Sequence, residues 1–426
     1  MKVLILGSGG REHAIGLKLS QSPQKPELIF APGNPGMTQL GKCFPIAADD
    51  IPALIDLAKK EKVYLTVVGP EIPLVKGLVD VFQKEGLRVF GPTANAARLE
   101  GSKAFSKAFM TRHHIPTAAF ETFHDLNPAL AFLQKTGAPV VVKASGLAAG
   151  KGAVVCMTME EAYEAVESML GPNAIFGEAG SEVVIEEFMA GEEASVFAVC
   201  DGQNFVLLPT AQDHKRIFDG DLGPNTGGMG AYSPAPLMTP ELLEQTNREI
   251  IEPTLKGMRD EGYPYHGVLY VGIMVTKDGP KVVEFNCRLG DPETQVVLPI
   301  YEGDLLDLLL NAADGVLPKV HSPYPKNSAA VIVLASGGYP GDYQNGFAIE
   351  GINEAEAVPH VQVIHAGTKL KANELITSGG RVLGVVGEGT SLAAALKAAY
   401  EGVAHIHFEG MQFRRDIGQK GLKAKV

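Results

Sequence analysis

The sequence predicts an α/β protein of several units that opens on a parallel sheet covered on both faces. Three observations carry this. The chain has 426 residues, and at roughly 100–200 residues per domain that length holds two to four domains. Along residues 1–100, fully apolar strand-like runs alternate with helix-spaced segments, the pattern of strands buried on both faces. Each of those runs ends in a Gly, Pro or Asn turn. Ligands of such sheets sit beyond the carboxyl ends of the strands, so that edge is the expected site rim.

In order, Lys2–Leu6 reads as the first strand and Gly7–Gly10 as its turn. Residues 11–20 carry helical spacing (Ala14, Ile15, Leu17, Leu19). Leu28–Ala31 is a second strand, ending at 32–36. Asp49 or Asp50 caps a helix through Lys60, with Pro52 in its first turn. Val63–Val68 is a third strand, Leu74–Lys84 a helix and Arg88–Phe90 a fourth strand. A long helix is expected over Ala94–His113. A small unit follows, with strands at Val140–Lys143, Ala153–Cys156 and Val183–Phe188 and a helix over Glu160–Met169. Hairpins are expected at 195–209, around Asp201-Gly202, and at 268–286, around Lys277–Pro280, with a helix near 241–258 between them. The last stretch carries strands at Ala329–Leu334, Gln362–Ala366 and Arg381–Gly387 and a helix over Ser391–Tyr400.

Composition narrows the function. Hydrophobic residues are 45% and charged residues 20%, which is globular rather than disordered usage. Lys+Arg is 37 against 49 Asp+Glu, a net charge of −12, so a general nucleic-acid or membrane-surface binder is disfavoured. A confined basic pocket remains compatible. The four cysteines, Cys43, Cys156, Cys200 and Cys287, form no CxxC pair, so a reducing cytoplasm is the expected compartment. The N-terminal apolar run is too short to span a bilayer and is broken at once by Gly7–Arg11.

Several motifs carry chemistry. Residues 7–13, GSGGREH, open a helix after a strand. A dinucleotide fingerprint needs a third glycine where Glu12 stands, and an acid where the sequence has Ala31-Pro32-Gly33. Two readings stay open there: a phosphate held on the helix N-terminus beside Arg11, or a structural turn. Residues 143–152, KASGLAAGKG, lie between two strands. Their glycine spacing is not that of a Walker loop, and a glycine hairpin over nucleotide phosphates fits better. The strand 184–188 ends in acids and offers an edge to a base, a weak signal alone. On the strand 281–288, Glu284, Asn286 and Arg288 are spaced for one face, with Val283, Phe285 and Cys287 on the other. Glu and Asn are hard oxygen ligands suited to Mg²⁺, and Arg288 suits a phosphoryl group or carboxylate. Asp291 and Glu293 follow on the next turn. Asp213-His214-Lys215-Arg216 and the glycine loop 224–232 complete the set. His405 and His407 read as surface residues on a strand. There is no HExxH, no GxSxG, and no cysteine with an obvious base partner.

Taken together, GSGGREHA at 7–14, APGNPG at 31–36, VGPE at 68–71, VVKASGLAAGKG at 141–152, EEFMAGEEASVF at 186–197, QDHKRIFDGDLGPNTGGMGAYSP at 212–234 and VVEFNCRLGDPETQ at 282–295 resemble the ATP-grasp superfamily. Within it they are most similar to the glycinamide ribonucleotide synthetase family. The resemblance implies a Rossmann-like N-terminal domain at 1–102 and a connection at 103–120. It further implies a lid at 121–190, a central catalytic domain at 191–325 and a C-terminal domain at 326–426. It implies ligation of glycine to 5-phosphoribosylamine with ATP, through glycyl phosphate, in purine biosynthesis. ATP would be held by Lys103, Lys143, Ser145, Gly146, Gly150, Lys151, Gly152, Glu187, Glu193 and Lys215, with Glu186 and the Phe188 backbone reading adenine. Glu284 and Asn286 would ligate Mg²⁺ or Mn²⁺; the strand 271–275 carries no acid for a second metal. Arg288 and Lys215 would act on the transferring group. Gly9, Gly10, Arg11, Asn34 and Glu71 would hold phosphoribosylamine. Asp213, Asn225, Thr226, Gly228, Met229, Gly230 and Asp291 complete the substrate set. The implied partners are these small molecules, with no nucleic acid and no membrane. A monomer is expected, with contact to neighbouring pathway enzymes left open.

Overall fold

The computed structural model describes residues 1–148, 152–318 and 324–424. Its first sheet is parallel, in the order Gly41–Cys43, Glu27–Pro32, Lys2–Gly7, Leu65–Val68, Val89–Phe90. Leu4, Ile5 and Leu6 are fully buried, as strands covered on both faces require. The order reverses between Lys2–Gly7 and Leu65–Val68, which makes the crevice above them the switch point. Glu12 fills that crevice. A Cβ at Gly69 would lie 2.1 Å from Glu12 Oε1, and one at Gly7 2.5 Å from Glu12 Cγ. The acid at the third fingerprint position therefore occupies the space a dinucleotide would need.

Two expected helices are broken. Leu74–Lys84 is replaced by Glu71–Val75 and Leu78–Lys84, because Gly77 takes φ 82° between them. The long helix over 94–113 is Ala94–Gly101 and Lys103–Arg112. Ser102 is extended at the break, and its hydroxyl accepts the Phe105 amide at 3.1 Å, starting the second helix afresh.

A separate antiparallel sheet follows, in the order Phe120–Phe123, Val183–Glu187, Val140–Ala144, Ala153–Cys156. It has its own core with the helices Leu126–Thr136 and Met159–Leu170. Phe120–Phe123 and Leu126–Thr136 escaped the sequence reading. Both expected hairpins form and join one four-stranded sheet, Phe205–Leu207, Glu192–Asp201, His266–Thr276, Gly279–Asn286. The helix between them runs from Pro240–Thr246 through Asn247–Ile251 to Glu252–Asp260.

The last large sheet is ordered Gln212–Asp213, Gly230–Ser233, Ser328–Ala335, Arg381–Gly389, Val361–His365. Two of its strands precede residue 326, so this sheet crosses the expected 325/326 division. The helices Thr294–Ile300 and Leu305–Asp314 bury Val296, Val297, Leu306 and Leu309 in a core shared with Val3, Ile5, Ala329 and Ile364. His405 and His407 are exposed on either side of buried Ile406, but they lie outside any strand. No helix among the described residues is long and apolar enough to cross a membrane.

Candidate functional site

A cleft of about 600 Å³ opens where the sheets meet. One wall is the strand Gly279–Asn286. Its pairing with His266–Thr276 slips between Gly272↔Glu284 and Ile273↔Val282, leaving Val283 as the extra residue of a bulge. The strict two-residue alternation therefore fails: Val282 joins Phe285 and Cys287 in the core, and Val283 lines the cleft instead. The freed Val283 carbonyl accepts Lys143 Nζ at 3.0 Å. Glu284, Asn286 and Arg288 still face the cleft together.

Glu284 is surrounded by cations. Burial alone would raise its pKa, but Lys215, Lys143, Lys103 and Arg288 together hold it below the usual carboxylate range. Asn286 donates Nδ2 to Glu100 Oε1 at 3.2 Å, so its carbonyl oxygen is the ligand on offer. Among the described residues, no cluster of three or more His, Cys, Asp or Glu could hold a metal alone. A single anionic carboxylate beside an amide fits Mg²⁺ that shares nucleotide phosphates and keeps waters. Arg288 Nη2 bonds Glu100 Oε1 at 2.8 Å, and its Nε lies 3.5 Å from Glu71 Oε2. That buried Nε makes no hydrogen bond, which leaves a donor for a bound anion.

The next wall is basic. Lys143 Nζ and Lys107 Nζ each stand 2.9 Å from one oxygen of Glu186, and all three side chains are buried. Burial and the neighbouring Lys143 charge push the Lys107 amine down to about 8. The Glu186 carboxylate thus pairs with two lysines while its residue lines the cleft. Burial also lowers Lys103, whose Nζ donates to the Gly146 carbonyl at 3.2 Å. Ser145 lies behind the cleft: its hydroxyl accepts the Ala104 amide at 3.1 Å, tying the glycine loop to the helix Lys103–Arg112. Gly152 and Ala153 line the cleft; Gly150 and Lys151 fall outside the described residues. Val141, Val155, Met110, Phe188 and Met274 make an apolar flank beside Glu187 and Glu193, as wide flat bases require. Lys215 pairs with Glu193, and Glu193, Asp213 and Glu284 keep its amine charged.

Arg11, Glu71, Asp213, Asn225, Thr226 and Asp291 also line the cleft. Arg11 is fixed by Glu12 Oε1 at 2.6 Å and the Leu289 carbonyl at 3.1 Å. Asp213 is pushed up to about 7 by burial and by the nearby Glu293 and Glu193 charges, against the pull of Lys215. Thr226 accepts the Gly228 amide and donates to the Lys215 carbonyl.

Six expected substrate residues do not line this cleft. Gly9 gives its amide to Glu12 Oε2 at 2.7 Å, so that donor is not free for a phosphate. Gly10 packs on Gln295, Ile364 and Ala366. Asn34 donates to the Ser8 and His365 carbonyls, 2.9 Å each. Met229 is buried with Ile217 and Ala335. Gly230 lies in a strand opposite Ile332, and Gly228 packs against Pro292. Sequence reading missed Glu100, Lys107, Tyr270 and Arg381, all on the cleft wall. None belongs to a recognisable spacing. The one available signal was an acid and a lysine on otherwise apolar helix faces.

Burial raises the thiols of all four cysteines above their usual range. Cys287, nearest the site, rests on the Ala96 and Ala97 carbonyls, and burial drives its thiol far above the usual range.

Three family models match in sequence: the phosphoribosylglycinamide synthetase N domain at residues 1–100, its ATP-grasp (A) domain at 101–294 and its C domain at 329–420. A phosphoribosylamine–glycine ligase of Vibrio vulnificus is 52% identical over 425 residues, covering 99% of each chain. One of Escherichia coli K12 is 51% identical over 428 residues, again covering 99% of each. A crystal structure of phosphoribosylamine–glycine ligase from Thermotoga maritima superposes with TM-score 0.85 at 37% identity, over 98% of this chain and 100% of that one. A biotin carboxylase domain from Hydrogenobacter thermophilus shares the fold alone, with TM-score 0.74 at 17% identity over 97% and 91%.

Proposed function

The chain belongs to the phosphoribosylglycinamide synthetase family, and from that membership and the chemistry of the cleft we propose how it works. It joins glycine to 5-phosphoribosylamine at the expense of ATP, giving glycinamide ribonucleotide, ADP and phosphate, a step of purine biosynthesis. ATP with a divalent metal is the family's energy source; Mg²⁺ is the metal that suits Glu284 and Asn286.

The observation that carries the mechanism is that Glu284, Lys103, Lys143, Lys215 and Arg288 line one cleft, where the charges of the four cations hold the carboxylate ionised. Four cations converging on one carboxylate match a metal-bound triphosphate and a migrating phosphoryl group. Lys103 and Lys143 hold ATP phosphates. The apolar flank around Val155, Met110 and Phe188 takes the base, with backbone of Glu187 and Phe188 at its edge and Glu193 beside the ribose. A glycine carboxylate oxygen attacks the γ-phosphorus, and the P–O bond to ADP breaks. Lys215 and Arg288 neutralise the charge that moves. The amine of phosphoribosylamine then attacks the glycyl carbonyl carbon, and the C–O bond to phosphate breaks. Thr226, Asn225, Asp213 and Asp291 bind glycine, while Arg11 and Glu71 position the phosphoribosyl amine. No covalent enzyme intermediate is needed, which agrees with the inert cysteines.

Phosphate release measured with glycine, formate or bicarbonate as acceptor tests this reading. Turnover requires glycine together with phosphoribosylamine; release with bicarbonate or formate in place of glycine overturns it.

A further inference from the structure

The residues after 326 contribute two side chains to the backbone of one residue of the glycine loop, one on each of its flanking peptide groups. The Gly227 amide donates to Tyr339 Oη at 3.0 Å, and the Gly227 carbonyl accepts Arg381 Nη1 at 2.6 Å. The same Arg381 Nη1 reaches the Asp291 carbonyl at 2.7 Å, and Nη2 the Asp291 carboxylate at 2.8 Å. One planar guanidinium therefore bridges the glycine loop and the turn that carries Asp291, a geometry that needs an arginine fork.

The contact is built from both sides. A Cβ at Gly227 would lie 2.8 Å from Arg381 Cζ, and one at Gly228 2.4 Å from Pro292 Cδ. The paired glycines are thus what lets the loop close on the guanidinium and on the Asp291 turn. Behind the clamp, a Cβ at Gly380 would meet the Tyr339 ring at 2.2 Å, so Tyr339 lies against the residue preceding Arg381. Gln412 Nε2 fixes the Tyr339 and Ser336 carbonyls at 2.9 Å each. On the loop's other side, Thr226 N–H and hydroxyl both donate to the Lys215 carbonyl, at 2.7 and 2.8 Å. Asp291 has its second oxygen on Gln295 Nε2 at 2.6 Å. Burial would raise its pKa, but Arg381 and Arg11 hold it low, so it stays an anion facing the cleft.

We propose that Tyr339 and Arg381 are positioning residues that set the affinity for glycine, by clamping the Gly227 backbone N–H and carbonyl and orienting the Asp291 carboxylate toward the substrate ammonium. This rests on the reading above that Asn225, Thr226 and Asp291 bind glycine. It gives the C-terminal unit a part in substrate recognition, although its side chains take no part in the chemistry.

The test compares full-length wild type with Tyr339→Phe, Arg381→Lys and Arg381→Met, by steady-state kinetics in each substrate. Loss of one neutral hydrogen bond in Tyr339→Phe raises the glycine KM about 3- to 10-fold. Arg381→Met raises it about 100-fold, with Arg381→Lys between, because lysine keeps the charge but cannot bridge two groups. The ATP KM stays within about 2-fold of wild type in all three, since the clamp acts on the Gly227 backbone and Asp291. Unchanged glycine KM in Tyr339→Phe and in either arginine variant overturns the proposal. So does an ATP KM that rises in step with that for glycine, which is the mark of a merely structural role. If Arg381→Met does not fold, the other two variants carry the same comparison. Wild type that releases no phosphate with glycine and phosphoribosylamine removes the proposed function itself. Wild type that does so, with variants of unchanged KM, removes only the clamp.

Discussion

Glu100 Oε1 lies 2.8 Å from Arg288 Nη2, while its other oxygen accepts the Cys287 amide at 2.7 Å. With the Asn286 amide at 3.2 Å, one carboxylate at the end of the helix Ala94–Gly101 fixes three consecutive residues of the cleft wall. Burial raises its pKa and the nearby Arg288 charge opposes that. Glu100 is a positioning residue: it sets where Arg288 and Asn286 point.

Glu100→Gln keeps the shape and removes the charge. Breaking a buried ion pair by losing one partner costs about 3–5 kcal/mol, and the weaker contact to Glu71 offsets part of it. The expected result is a drop of about 2–3 kcal/mol in urea unfolding, together with a fall in kcat of about 10- to 100-fold. Stability and kcat equal to wild type would show that Arg288 needs no such anchor.

Glu284→Gln separates metal from nucleotide. The amide still accepts a hydrogen bond but no longer supplies the charge that draws a divalent cation. Turnover is expected to fall by about 1,000-fold or more. Titration calorimetry should show metal-free ATP bound as by wild type, without the gain on adding Mg²⁺. A variant that keeps the Mg²⁺ gain would take Glu284 out of the metal site.

Lys143→Met removes the Val283 tether and, on the proposed reading, a phosphate contact. The ATP KM should rise about 100-fold with the glycine KM unchanged. Kinetics with each substrate varied in turn decide it, and a change confined to glycine would reassign the lysine.

Lys107 predicts a pH dependence. Its amine falls from 10.5 to about 8 on folding, chiefly through burial and repulsion by Lys143. Between those values the unfolded chain binds a proton that the folded chain does not. Its contribution to stability is therefore greatest above 10.5 and is lost as pH falls through about 8. Relative to Lys107→Met, the protein should gain about 3 kcal/mol in urea unfolding across that window. Parallel stability curves for the two proteins would contradict the assignment.

The first sheet was legible because apolar runs and terminal turns are local signals, and both hairpins were marked by their Asp-Gly turns. The breaks at Gly77 and Ser102 were not, since helix-compatible residues flank each and tertiary packing chose the split. Glu284, Asn286, Arg288, Lys143 and Lys215 reach one cleft from motifs adjacent in sequence to glycine turns. The bulge at Val283 depends on register with a partner strand, which no single-strand pattern shows. Asn34, Gly9 and Met229 carried motif resemblance but are spent on internal packing. Glu100, Lys107 and Arg381 act across separations of 79 to 188 residues, and only folding pairs them with Glu186, Arg288 and Asp291.

The central claim is that glycine is activated by phosphorylation and then captured by the amine of phosphoribosylamine. Glycine labelled with ¹⁸O in its carboxylate, turned over with ATP and freshly generated 5-phosphoribosylamine, tests it by mass spectrometry of both products. The account predicts glycinamide ribonucleotide, with one ¹⁸O atom delivered to the inorganic phosphate for each molecule formed. Unlabelled phosphate, or phosphate released without glycinamide ribonucleotide, would contradict it.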